Sequence, residues 1–168
     1  MTMNSQAKPK IVTIGAYGFD ADTFFAALQQ ANVDTFCDIR KRRSVRGAEY
    51  TFVNSQRLLN RLAELGICYL HRLDLAPTDA IRQQQYAVDK SNKVAKRQRS
   101  ELSPQFIAAY ETERLDAFDP LSLLDELPTD AKVLALFCVE REPAACHRSL
   151  VATKLALFLE TDVTHILP

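Results

Sequence analysis

Lys132–Cys138 reads KVLALFC, and from Val133 onward every residue is apolar. An exposed antiparallel strand would alternate apolar and polar side chains. A run that is apolar on both faces suits the centre of a parallel sheet covered by helices on both sides. The remaining segments follow from that reading. Before it, Lys10–Ile14 (KIVTI) ends at Gly15 and predicts a first strand. Asp20 or Asp22 can cap a helix whose inward positions are Phe24, Phe25, Leu28 and Ala31. Thr35–Ile39 (TFCDI) predicts a second strand, and Ile67–Leu70 (ICYL) a third. Between them, Asn54 stands before a helix over Ser55–Gly66, with Leu58, Leu59, Leu62 and Leu65 as its buried stripe. Strand, helix, strand, helix, strand with short links is the pattern of a parallel sheet.

The middle of the chain reads differently. Ala80–Asp89 suits a helix, and residues 90–103 are polar and basic with no apolar period, which predicts a mobile loop. Pro104 opens a helix running to Leu115, and Leu121–Leu127 is a short helix or turn closed by Pro128. After the central strand, Arg148–Glu160 predicts a long helix and Val163–Leu167 a last strand. The expectation is one α/β domain over residues 10–168: three layers, with a mainly parallel, Rossmann-like sheet of about five strands flanked by helices. Residues 1–9 are expected to form a flexible arm.

Composition excludes several classes. The chain has 168 residues, 47% of them apolar and 25% charged, as in ordinary globular proteins. No apolar run reaches the length of a membrane span, and the first ten residues lack the apolar core of a signal peptide. A cytoplasmic location with four reduced cysteines is the expectation. Formal net charge is zero, yet the charges are segregated. Arg40–Arg46 (RKRRSVR) and Lys90–Arg99 (KSNKVAKRQR) each hold five basic residues and no acid. A local field of that kind captures phosphate-bearing partners even when net charge is zero.

In an open parallel sheet, ligands bind beyond the carboxyl ends of the strands. Those ends carry Gly15-Ala16-Tyr17-Gly18, Asp38-Ile39-Arg40, His71-Arg72 and Cys138-Val139-Glu140-Arg141. The stretch Cys138–Ser149 (CVEREPAACHRS) joins the last of these to the start of a helix at Cys146-His147-Arg148-Ser149. Unpaired N–H groups and the helix dipole favour an anion there, and Arg148 and His147 add donors. In this reading Arg40, Arg43 and Tyr17 contribute from the other tips. The plainer alternative is a structural network in which Arg148 pairs with Glu140 or Asp38. Cys146 beside His147 and Arg148 is also placed as an activated thiol, with Asp38 or Glu140 as the acidic partner. A metal site is disfavoured, because Cys138, Cys146 and His147 are spaced C-x7-C-H without a paired C-x2-C knuckle. Neither a P-loop nor a GxGxxG fingerprint is present, so no motif calls for a nucleotide cofactor. Tyr50 and Phe52 follow the first basic run and suit either base stacking or anchoring of the loop.

On these residues the chain resembles the domain of unknown function 488 family, from about Ile11 to Ile166. The motifs are Thr13-Ile14-Gly15, Asp38-Ile39-Arg40, Cys138-x-Glu140-x-x-Pro143-x-x-Cys146-His147-Arg148-Ser149 and the closing His165-Ile166. Leu75-Ala76-Pro77 followed by Ile81-Arg82 matches a central element of that family. The resemblance implies an α/β fold with these motifs, Arg82 included, gathered around one pocket; it brings no established activity. Lys41-Arg42-Arg43 and Arg46 stand where many relatives carry a Pro/Ser-rich turn, and the Lys90–Arg99 arm is unusually basic, which favours a polyanionic ligand. Three functions fit the residues. The first is binding of a nucleic acid or nucleotide, with or without chemistry on it. The second is a small-molecule enzyme using Cys146 and His147 with an acidic partner. The third is a non-catalytic interaction module.

Overall fold

The computed structural model describes residues 8–168. The expected arm over residues 1–9 therefore lies outside the described residues, apart from Lys8 and Pro9. The strands are β1 (Lys10–Ile14), β2 (Thr35–Asp38), β3 (Cys68–His71), β4 (Val133–Phe137) and β5 (Val163–Ile166). The helices are α1 (Ala21–Gln30), α2 (Ser55–Glu64), α3 (Asp79–Ser91), α4 (Pro104–Tyr110), α5 (Pro120–Leu124) and α6 (His147–Leu159). The five strands form one sheet in the order β3-β2-β4-β1-β5, with every pairing parallel. With its helices this is a three-layer, Rossmann-like α/β fold. None of the described helices is long and apolar enough to cross a membrane.

KVLALFC is the middle strand, as its composition requires: all five residues of β4 are buried. β4 lies between β1 and β2, although it follows both by some hundred residues. Asp34 fixes its start, accepting from the backbone N–H groups of Lys132 and Val133 at 2.7 and 3.1 Å. α1 begins at a capping box in which Asp20 and Thr23 each accept from the other's backbone N–H. Its Phe24 is fully buried among the rings of Phe19, Phe25, Phe36, Phe52 and Phe137, with centroids 5.2–6.4 Å away. That cluster joins α1 to β2 and β4. α6 packs along β1 and β4.

Two segments differ from the sequence expectation. The helix from Pro104 changes after Tyr110 into a wider turn over Glu111–Leu115, closed by Asp116 N–H donating to the Glu111 carbonyl. The segment 90–103, expected as a mobile loop, is folded back on the domain. α3 continues to Ser91, and a short 3-10 turn covers Lys96–Gln98. Arg99 is buried and forms an ion pair with Asp89 of α3. Gln85 donates to Asp89 and accepts from the Ser103 N–H, both at 2.8 Å. These contacts join polar residues 4, 10 and 18 positions apart, so no apolar period announces them.

Phe24→Ala removes the ring at the centre of the aromatic cluster. Such truncations lower stability by about 3–5 kcal/mol, and urea denaturation should show a loss of that size.

Candidate functional site

The site is built at the carboxyl edge of β1, β2 and β4. The tips of β1 and β4 are tied together: the N–H groups of Ala16 and Tyr17 both donate to the Val139 carbonyl at 3.0 Å. Their approach requires glycine, because a Cβ at Gly15 would lie 1.8 Å from the Glu140 carbonyl oxygen. After β4 the chain makes a 3-10 turn at Pro143–Ala145 and returns into α6 at Cys146 and His147. Cys138 and Cys146, seven residues apart, thereby become neighbours.

Arg148 closes this return. It is fully buried, and its guanidinium donates to the carbonyl oxygens of Glu140 and Arg141, the latter at 3.0 Å. It does not line the cavity described below, so the expected phosphate contact from Arg148 gives way to a structural one. The expected pairing with Glu140 exists, but through the main-chain oxygen. Ser149 is turned back as well, its hydroxyl donating to the Cys146 carbonyl at 2.9 Å.

Asp38 and Arg40 behave as a unit. Arg40 donates through Nε and Nη2 to the two Asp38 oxygens at 2.9 and 2.8 Å, and through Nη2 to the Val53 carbonyl at 2.9 Å. The Tyr69 hydroxyl also donates to Asp38, at 2.9 Å. Asp38 is fully buried and outside the cavity, so it orients Arg40 rather than standing as a free base. The guanidinium lies 4.7 Å from the Phe137 ring centroid, and its Nη1 is buried with no partner among the described residues. Arg43 is not among the cavity's lining residues. At the tip of β3, Arg72 pairs with Asp74 and Glu126, so this fourth tip stays outside the site.

A cavity of about 500 Å³ opens over these tips. Arg40, Lys41, Arg42, Arg46, Arg82, Lys96, Arg97 and Arg99 line it, and Glu140 is the one carboxylate among its lining residues. Of the residues expected at the site it gathers Tyr17, Arg40, Arg82, Glu140, Cys146 and His147. Asp38, Arg43, Arg148 and Ser149 stand outside. The strap at 90–103 forms one wall, with Arg97 held 5.1 and 5.0 Å from the ring centroids of Tyr17 and Tyr50 and paired with Glu49 at 2.7 Å. Tyr50 thus holds Arg97, while Phe52 sits in the core. The strap's lysine and arginines carried the basic-run signal in the sequence; their inward placement depends on Asp89 and Glu140, which that signal did not include.

The floor carries the reactive groups. Burial pushes the Glu140 carboxyl upward, opposed by Lys96 at 3.6 Å and Arg99 at 3.8 Å. Burial also raises the Cys146 thiol, but the Cys138 thiol's hydrogen bond and the Arg148 charge outweigh it and bring Cys146 down to about 7. Cys138 moves well above its ordinary value through that hydrogen bond and its own burial. His147 Nδ1 lies 3.9 Å from Cys146 Sγ, and Nε2 lies 3.1 Å from the Ile39 carbonyl oxygen.

Arg148 and Arg82 should respond oppositely to truncation. Arg148→Ala leaves buried carbonyls unpaired and opens a large void, at a cost of about 3 kcal/mol or more. Arg82, half-exposed and bonded to Tyr86, should change stability by no more than about 0.5 kcal/mol. Urea denaturation of the two variants distinguishes the roles.

A scan of known families matches residues 20–155 to the model described as Domain of unknown function DUF488. No curated protein and no solved structure matches the chain significantly. With most of its length covered by that match, the chain belongs to the domain of unknown function 488 family.

Proposed function

We propose that the domain binds a phosphate-bearing ligand, a nucleotide or a segment of nucleic-acid strand, in the cavity at the carboxyl edge of the sheet. One observation carries the reading. Arg40 is buried and held rigidly by Asp38, yet its Nη1 has no partner among the described residues, on a wall shared with seven other cations. A buried, unpaired guanidinium nitrogen is costly unless an anion meets it. Arginine suits phosphate oxygens because its donors lie in a fixed plane. A volume of about 500 Å³ is within the range of small-ligand sites. Tyr17, Tyr86 and Phe106 offer ring surface for a base. Cys146, His147 and Glu140 on the floor are the groups positioned to act on a bound phosphate ester. The four free thiols fit a reducing, cytoplasmic compartment.

The test is binding of labelled single-stranded DNA and RNA oligonucleotides and of free nucleotides, followed by anisotropy or competition across a salt series. For the strands, the logarithm of affinity should fall linearly with the logarithm of salt, by about 0.7 per phosphate neutralised. Arg46→Ala and Arg82→Ala should each weaken binding and lower that slope by roughly one phosphate's share. Absence of binding to every one of these ligands at low salt would sink the reading.

A further inference from the structure

We propose that Cys138, Cys146 and His147 form a zinc site whose fourth coordination position opens into the cavity. The two sulfurs and one imidazole nitrogen lie within 4.8 Å of one another, and Cys146 Sγ is 3.9 Å from His147 Nδ1. A tetrahedral zinc, with bonds of about 2.3 Å to sulfur and about 2.0 Å to nitrogen, separates its ligand atoms by roughly 3.5–3.8 Å. Closing the set around an ion therefore takes movements of about an ångström or less.

The surrounding groups favour the same assignment. His147 Nε2 is 3.1 Å from the Ile39 carbonyl, which can only accept. The ring proton therefore belongs on Nε2, and the free lone pair is on Nδ1, beside the sulfurs. Fixing of the tautomer by a second hydrogen bond is usual for zinc-ligating histidines. Two thiolates neutralise a divalent ion, so the loaded site adds no net charge to a wall already rich in cations. Sulfur and imidazole select zinc over the hard ions magnesium and calcium, which require oxygen ligands.

All three ligands line the cavity. Three protein ligands with one open position is the arrangement of a zinc that binds water or a substrate oxygen, not of a purely structural site. Cys138 comes from the end of β4 and the other two from the start of α6, elements already joined by Arg148. The site is thus held by rigid scaffold rather than by loop.

Metal binding is measured without any phosphate ligand, so its outcome is separate from that of the anion reading. The full chain, reduced with a phosphine and stripped by chelator, is titrated with cobalt(II) and then with zinc(II). The expected result is one cobalt per chain, with thiolate-to-cobalt charge-transfer absorption and the intense visible bands of four-coordination, displaced by zinc. Cys138→Ser and Cys146→Ser should each weaken zinc binding by more than the roughly 10–100-fold that loss of an outer-sphere partner costs. Cys68→Ser should leave it unchanged. Circular dichroism confirms that each variant is folded, and the unaltered protein's spectrum decides the matter if one is not. A reduced protein without the charge-transfer band overturns the proposal. So does a band that survives both ligand substitutions in folded protein.

Discussion

The hydrogen bonds from Arg148 to the carbonyl oxygens of Glu140 and Arg141 hold the site together. A chain leaving the middle strand of a sheet has main-chain oxygens to satisfy in a place with little water. Here a cation on the following helix satisfies two of them. The turn is thereby folded tightly enough to bring Cys146 beside Cys138 and His147 under Ile39. Gly15 is the matching requirement on β1, since any side chain there would strike the same Glu140 carbonyl. One buried guanidinium and one missing Cβ thus set the spacing of the tips of β1 and β4 and the start of α6.

A second buried arginine has a different purpose. Arg40 is fixed on one edge by Asp38 and the Val53 carbonyl and supported by the Phe137 ring, while Nη1 is left unmatched. Arg148, by contrast, spends two of its nitrogens on main-chain oxygens and lies outside the cavity. Burial and charge are the same in the two residues. Each also leaves one guanidinium nitrogen without a partner among the described residues, Nη1 of Arg40 and Nε of Arg148; what separates them is that Arg40 lines a space large enough for a ligand and Arg148 does not.

The fold was legible because its signals are local. The unbroken apolar run at Val133–Cys138 required a central strand, Asp20 or Asp22 marked a helix start that the structure places at Asp20, and the alternation of segments required parallel pairing. The site was legible only as a neighbourhood. A helix start predicts outward N–H groups, and Glu140 was open to Arg148 as a charge partner, but nothing in the sequence says that Arg148 turns back to the main-chain oxygens of Glu140 and Arg141 instead. The C-x7-C-H spacing lacks a knuckle and so gave no sign that Cys138, Cys146 and His147 meet, yet a 3-10 turn brings these three side chains together. The strap at 90–103 read as mobile because it has no apolar period. The contacts that fold it back on the domain are Arg99 on Asp89, Arg97 on two tyrosines, and Gln85 on the Ser103 N–H.

The strap also explains how a neutral protein keeps a strongly positive cavity. Its acids are used where they fix geometry: Asp38 on Arg40, Asp89 on Arg99, Glu49 on Arg97. Each of these carboxylates lies outside the cavity lining, while the cation it holds lies within it. Glu140 is the exception, buried among Lys96 and Arg99 at distances too long for good hydrogen bonds. Its carboxyl is raised by burial, so it surrenders negative charge more readily than an exposed glutamate. Charge is neutral over the chain but separated across the cavity wall, with anions behind and cations in front. Such an arrangement holds basic side chains in place without filling the space that a phosphate would take.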